Sequence, residues 1–291
     1  MTEFDPSILK QLYVPSSDSH KAQNGKVLLI GGSHLFHAAS LWSLQIASRI
    51  VDMVFYSSVD ENNEIVARAK EEFRNGIVVP RNQLGSYIKE ADCILIGPGL
   101  VRTENPAIKY SKLSIQGLDE LDAMHDEGEQ TYYLTKYLLE KYPEKKFIID
   151  AGSLQMMRPE WLLTLKETPI LTPHKGEFKT LFGVEETNES ASEMARKFGC
   201  VIIGKGVKDI IASPSATVVV SGGNVGMTKG GTGDVLAGLA ASLYAKNDAW
   251  LCACAASYIN KKAGDSLFEK VGPYFNASDL VDEIPQVLHH G

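Results

Sequence analysis

The chain reads as an α/β protein with a mostly parallel central sheet covered by helices on both faces. Two observations predict this class. Short β-branched runs alternate with helical stretches, and several of those runs are apolar throughout.

Taken in chain order, the predicted strands are Lys26 to Ile30, Met53 to Ser57, Gly76 to Val79, Cys93 to Ile96, Phe147 to Asp150, Ile170 to Thr172, Val201 to Ile203, Asp209 to Ala212 and Thr217 to Val220. Stretches such as Val27-Leu28-Leu29-Ile30 have no polar position, which suits strands buried on both faces. Between and after the strands, helical spacing predicts helices over Ala39 to Ile50, Glu64 to Phe73, Thr131 to Glu140, Lys175 to Phe182, Ser190 to Phe198, Asp234 to Ala245, Trp250 to Phe268 and Ala277 to Leu288. No linker rich in Pro, Gly or Ser divides the chain, so residues 1–291 are expected to form one domain with a core over about residues 25–270. From Lys109 to Gln130 the acids Asp119, Glu120, Asp122, Asp126, Glu127 and Glu129 crowd together with few apolar anchors. That stretch reads as an exposed surface insertion.

Composition excludes several classes of function. With 44% hydrophobic and 22% charged residues among 291, the chain has the makeup of an ordinary globular protein with a large core. No run approaches the roughly 18 apolar residues of a membrane span, and Met1 to Lys10 lacks a signal-peptide layout, so the expected location is cytoplasmic. A net charge of −7 argues against nonspecific nucleic-acid binding. Cys93, Cys200, Cys252 and Cys254 lie in apolar surroundings and read as buried thiols, and His289, His290 and Gly291 read as a frayed tail.

The chemistry is expected at Gly230-Gly231-Thr232-Gly233-Asp234, just before an apolar, Ala-rich helix. Glycines let consecutive N–H groups approach a ligand closely, and those amides sit at the positive end of the helix, a ready site for phosphate. A carboxylate beside an anion site is repulsive if the segment only binds phosphate. Asp234 therefore points to proton chemistry next to phosphate. Neither a P-loop string nor a dinucleotide fingerprint is present.

In an open α/β sheet, ligands collect beyond the carboxyl ends of the strands. Five predicted strands are followed there by glycine and polar residues: Gly31-Gly32-Ser33-His34, Gly97-Pro98-Gly99-Leu100, Ala151-Gly152-Ser153, Pro173-His174-Lys175-Gly176-Glu177 and Gly204-Lys205-Gly206. Together they predict a long cleft along one sheet edge. His174 stands at the cleft edge, and Lys205 has glycines on both sides that leave it exposed to an approaching phosphate.

Several of these motifs occur in an order that resembles one family. They are Gly32-Ser33 with Ala38-Ala39, Ile96-Gly97-Pro98-Gly99-Leu100, Thr172-Pro173-His174-Lys175-Gly176-Glu177, Lys205-Gly206, and Asn224-x-Gly226-Met227 leading into Gly230-Gly231-Thr232-Gly233-Asp234-Val235-Leu236-Ala237-Gly238. Over about residues 25–270 the chain resembles the ADP/ATP-dependent NAD(P)H-hydrate dehydratases of the ribokinase-like superfamily, in the form without a fused epimerase domain. The resemblance implies repair of the (S) form of NADHX or NADPHX. The terminal phosphate of ADP or ATP passes to the ring hydroxyl and then leaves by elimination, regenerating NADH or NADPH. It implies Asp234 as general base and the N–H groups of Gly231, Thr232 and Gly233 as the anion hole. Ala39, Gly99, His174 and Asp234 would contact substrate, and Lys205, Gly206, Val207, Lys208, Asp209, Asn224 and Gly233 the nucleotide. Mg²⁺ is expected to accompany the transferred phosphoryl group, with Glu177 as candidate for a water-mediated contact. A homotetramer is implied by the resemblance alone.

The chain departs from the family pattern at Phe36 and His37 before the double alanine, at Gly152 after Asp150-Ala151, at Asp209 in the Lys-Gly turn, and at Lys229 before the double glycine. Asp209 would repel phosphate unless it points away. A small-molecule kinase of the same superfamily, acting on a vitamin precursor or sugar alcohol, needs the same base and anion hole but leaves a stable phosphorylated product. A nucleotide sensor without turnover is the third reading, and such a protein gains nothing from a base at Asp234.

Overall fold

The computed structural model describes residues 2–104, 108 and 113–290. Among the described residues ten strands form one sheet: β1 (Thr2–Glu3), β2 (Lys26–Ile30), β3 (Met53–Ser57), β4 (Ile77–Val78), β5 (Cys93–Ile96), β6 (Lys146–Ile149), β7 (Ile170–Leu171), β8 (Val201–Gly204), β9 (Asp209–Ala212) and β10 (Thr217–Val220). Their order is β1-β10-β9-β8-β7-β6-β5-β2-β3-β4. From β8 through β4 every neighbour pair is parallel, whereas the β8-β9-β10 meander is antiparallel and β1 adds to β10 in parallel. All nine expected strands are present, and β1 is the addition. Two residues long, it offers no apolar run for a sequence reading to find.

The helices are α1 (His37–Ala47), α2 (Asp60–Phe73), α3 (Leu84–Glu90), α4 (Glu127–Lys141), α5 (Ala151–Met156), α6 (Lys175–Phe182), α7 (Asn188–Phe198), α8 (Thr232–Tyr244), α9 (Ala249–Val271) and α10 (Ala277–His290). Alternate residues of one strand feed two cores. Val27 and Leu29 face α1, α8, α9 and α10, while Leu28 and Ile30 face the side covered by α3 to α7. All four are fully buried, each removal from water being worth about 1.5–3 kcal/mol. This two-sided burial is the reason the strands carry no polar positions.

Local chemistry sets the helix ends. Thr187 caps α7 through Ser190 N–H, Asp248 caps α9 through Leu251 N–H, and left-handed Gly183 and Gly199 close α6 and α7. The four cysteines are free and buried. At His289 and His290 the tail differs from expectation, because α10 continues through them, while Gly291 lies outside the described residues. The acidic stretch also differs in part. Its residues 109–112 lie outside the described ones, but beyond them a 3-10 helix, Leu118–Ala123, is anchored by buried Ile115, Leu118 and Leu121 while Asp119 and Glu120 face solvent. Asp126 then caps α4 by accepting from Gly128 and Glu129 N–H. α3 and α5 were not foreseen; each spans two turns at most, too short for a clear period.

Candidate active site

The carboxyl ends of β6, β7 and β8 and the start of α8 converge on a group of charges around Lys205. Lys205 follows β8, and its N–H donates to Pro173 O beyond β7 (2.8 Å). Its Nζ lies 2.9 Å from Asp150 Oδ1, just beyond β6, and 3.8 Å from Glu177 Oε2 on α6. A Cβ placed on Gly233, in the first turn of α8, would lie 3.4 Å from the same Nζ. The carboxylates of Asp150 and Glu177 are 2% and 5% exposed, so the lysine charge is held among buried acids. Burial pulls the Lys205 ammonium down, but Asp150 and Glu177 outweigh it and the net shift is upward. Its flanking glycines predict a lysine open to an incoming phosphate; in the fold it is tied to Asp150 first.

Asp234 completes the group. Burial, then the charge of Asp150, raises its carboxyl from the usual range to about 7, with Lys205 opposing and Glu177 adding to the rise. A carboxyl with that affinity exchanges protons near neutrality, as a general base requires. Its backbone is fixed by the helix packed against α8, where Ser43 Oγ on α1 donates to Asp234 O at 2.7 Å.

The turn before α8 is built for close approach. Gly231 sits at φ +98°, and a Cβ there would collide with the Trp42 ring and Ala277, so only glycine lets α1, α8 and α10 meet at this point. Thr232 Oγ1 donates to Met227 O (2.8 Å) and Lys229 O (3.1 Å), locking the turn from beneath. The first N–H groups of the 13-residue α8 have no acceptor within the helix and point out of its N-terminus.

His174 plays a local part that its residue type hides. It is the N-cap of α6, its Nδ1 accepting from Gly176 N–H (3.0 Å) and Glu177 N–H (3.2 Å), while Glu177 Oε2 accepts from His174 N–H (2.9 Å). Nδ1 is thereby an acceptor and the proton resides on Nε2, the ring remaining 57% exposed at the cleft. Glu177 Oε1 takes a further bond from Gln155 Nε2 (3.3 Å), whose Oε1 in turn accepts from Arg102 (3.2 Å). Gln155 and Arg102 were missed because neither stands at a motif position.

Gly99 holds φ +72°, and a Cβ there would press on Phe36 O and Gly32. This brings the loop after β5 against the loop after β2 and the start of α1, where Ala39 is half-buried. Phe36 is exposed beside them and His37 Nδ1 lies 2.8 Å from Asn62 Oδ1. Gly152 makes room for Leu100.

A cavity of about 400 Å³ opens next to Lys205, lined among others by Lys205, Gly206, Val207, Asp209, Asn224 and Gly233. Lys208, in the same turn, faces solvent and does not line it. Asn224 uses its side chain on the loop itself, accepting from Gly226 N–H and donating to Gly264 O and Asp265. Asp209 points into the protein, accepting from Gly206 N–H (3.0 Å) and Ser257 Oγ (2.7 Å). Lys229 is turned to Pro273 O and the Phe275 ring, away from the cavity. A larger cavity of about 660 Å³ lies between the N-terminal segment, α9 and α10, and none of these site residues lines it. Among the described residues no group of three or more His, Cys, Asp or Glu is arranged to hold a metal, and no helix is long and apolar enough to cross a membrane.

The fold and the motif order have counterparts among known proteins. The ADP-dependent (S)-NAD(P)H-hydrate dehydratase of Nitrosopumilus maritimus is 33% identical over 96% of this chain and 94% of its own. The bifunctional NAD(P)H-hydrate repair enzyme Nnr of Methanocaldococcus jannaschii is likewise 33% identical, but the chain spans about half the length of that protein (51%). A ribokinase-like superfamily protein from Enterococcus faecalis superposes with a TM-score of 0.81 at 22% identity, covering 99% of this chain and 95% of that one. The ADP/ATP-dependent NAD(P)H-hydrate dehydratase of Bacillus subtilis, crystallized with ATP and Mg²⁺, superposes with a TM-score of 0.78 at 23% identity over 99% and 98% of the two chains. The sheet and its flanking helices are thus ribokinase-like. Residues 27–286 match the NAD(P)H-hydrate dehydratase family model, a span that holds Asp150, His174, Lys205 and the Gly231 to Asp234 turn alike, and the chain belongs to that family.

Proposed function

We propose that the chain is a nucleotide-dependent dehydratase that converts the (S) form of NADHX or NADPHX to NADH or NADPH with release of phosphate. The observation that carries the reading is Asp234: a carboxylate of near-neutral affinity at the mouth of α8, beside a glycine turn with outward N–H groups. In this reading Asp234 takes the proton of the ring hydroxyl as its oxygen attacks the terminal phosphorus of ADP or ATP. The P–O bond to the nucleotide breaks, the N–H groups of Gly231, Thr232 and Gly233 hold the phosphoryl oxygens, and phosphate later leaves by elimination. General-base help is worth about 10²- to 10⁴-fold in rate.

Lys205 and Asp150 hold the local charge balance, and Lys205 adds a cation beside the phosphoryl path. Ala39, Gly99 and His174 belong to the substrate side of the cleft. The cavity of about 400 Å³ takes the adenine nucleotide, with Lys205, Gly206, Val207, Asn224 and Gly233 around it. Asp209 shapes that wall from within and does not touch phosphate. Mg²⁺ suits this donor set only as a passenger on the phosphates, since Glu177 already accepts from His174 N–H and Gln155; it would supply charge neutralisation, with Glu177 reached through water. The continuous sheet supports a single domain, and we infer a cytoplasmic enzyme that assembles as a homotetramer.

The test is incubation of the protein with (S)-NADHX, Mg²⁺ and either ADP or ATP. The dehydratase reading requires recovery of reduced nicotinamide absorbance with one phosphate released per turnover. Accumulation of a stable phosphorylated compound would mark a kinase, and nucleotide binding without product a sensor.

A further inference from the structure

One buried cation in the wall of the 400 Å³ cavity makes contacts with the chain itself. Lys261, on α9, is 6% exposed. Its Nζ donates to three main-chain carbonyls, Gly206 O (3.1 Å), Val207 O (3.1 Å) and Gly222 O (3.2 Å), and lies 3.2 Å from Asp209 Oδ1. Three carbonyl dipoles and one carboxylate thus converge on a single ammonium, which uses all three of its N–H donors. The oxygens come from both walls of the 400 Å³ cavity, Gly206, Val207 and Asp209 from the β8-β9 turn and Gly222 from the loop after β10.

The same face of α9 braces these walls at three successive turns. Ser257 Oγ donates to Asp209 Oδ2 (2.7 Å), Lys261 gathers the carbonyls, and Asp265 accepts from Gly223 N–H (3.1 Å) and Asn224 Nδ2 (3.1 Å). The i, i+4, i+8 spacing places all three on one stripe. Because a trans peptide sets C=O and N–H in opposite directions, carbonyls of Gly206 and Val207 drawn to Lys261 turn the N–H groups of Val207 and Lys208 the other way. The lysine also offsets the Asp209 charge next to a site for a polyanion.

We propose that Lys261 is a positioning residue, a tethered monovalent cation that fixes the spacing of the two loops walling the nucleotide cavity. The inference rests on the reading of that cavity as the nucleotide site. It predicts that Lys261→Ala raises the KM and Kd for ADP or ATP by about ten- to hundredfold, with kcat changed much less, since the residue touches no reacting atom. Added ethylammonium or propylammonium should restore much of the affinity by refilling the cage, while neutral propanol should not. Lys261→Gln, which keeps two N–H donors and loses the charge, should bind as weakly as Lys261→Ala, and it serves as the primary variant if the alanine protein does not fold. Nucleotide affinity within twofold of wild type in the folded variant, or a loss that propanol repairs as well as the amines, would overturn the inference alone. Failure of the wild-type protein to bind either nucleotide would overturn the site reading and the inference together.

Discussion

Lys205 and Asp150 form a part-buried ion pair whose Nζ–Oδ1 separation is 2.9 Å, and Asp234 feels both members with opposite sign. The Asp150 charge raises the Asp234 carboxyl and the Lys205 charge lowers it. Because a base works only when ionised, turnover should climb as pH rises through about 7. Removing each partner then moves that limb in a known direction.

Asp150→Asn should shift the acid limb of the kcat/KM profile to lower pH, since a neighbouring negative charge is lost. Lys205→Met should shift it to higher pH. A shift of one pH unit corresponds to about tenfold in rate on the limb. Full profiles of both variants check the pair; parallel movement in one direction would contradict the arrangement.

The raised carboxyl also has a consequence for stability. A group that holds its proton more tightly when folded contributes fully below its unfolded value and loses that contribution as pH rises through its folded value. For Asp234 the window runs from the ordinary value of 3.8 to about 7. Asp234→Asn should therefore melt higher than wild type at pH 8, by about 3 °C or more, and show little gain at pH 4. Thermal melts at the two pH values measure the difference.

His174 separates into two roles by substitution. His174→Ala removes the acceptor for two N–H groups at the start of α6 and should cost about 0.5–2 kcal/mol. His174→Asn, an ordinary N-cap, should return most of the stability while leaving the substrate KM raised. Denaturant titration alongside steady-state kinetics distinguishes capping from contact, and full kinetic rescue by asparagine would leave only the cap.

Gly231→Ala places a Cβ at φ +98° against the Trp42 ring. Backbone conformation alone costs about 1–2 kcal/mol, and displacement of the turn should reduce kcat by about 10²- to 10³-fold. Gly230→Ala, which would meet no atom within 4 Å, should be far milder. Comparison of the two by melting and turnover checks that shape, not glycine content, matters here.

Much of this could be read from the residues. Strands such as Val27 to Ile30 declare themselves because both faces are buried, and the Gly231 to Asp234 turn because glycine next to a helix and an acid is an unusual combination. Side-chain partnership could not be read. Lys205 looked solvent-facing from its flanking glycines, yet Asp150, 55 positions earlier, holds it inward. Asp209 looked like a misplaced charge until Lys261 and Ser257, on a helix far along the chain, appeared beside it. Such pairs depend on which strand ends the topology brings together, and no local pattern records that.

In the proposed reaction Asp234 removes the proton while the α8 turn holds the phosphoryl group. Its most direct test is Asp234→Asn assayed for nucleotide Kd and for NADH regenerated from (S)-NADHX in the same preparation. The expected result is a Kd for ADP or ATP within a few-fold of wild type and turnover lowered by at least about 10²-fold. Near wild-type turnover in that variant would contradict it.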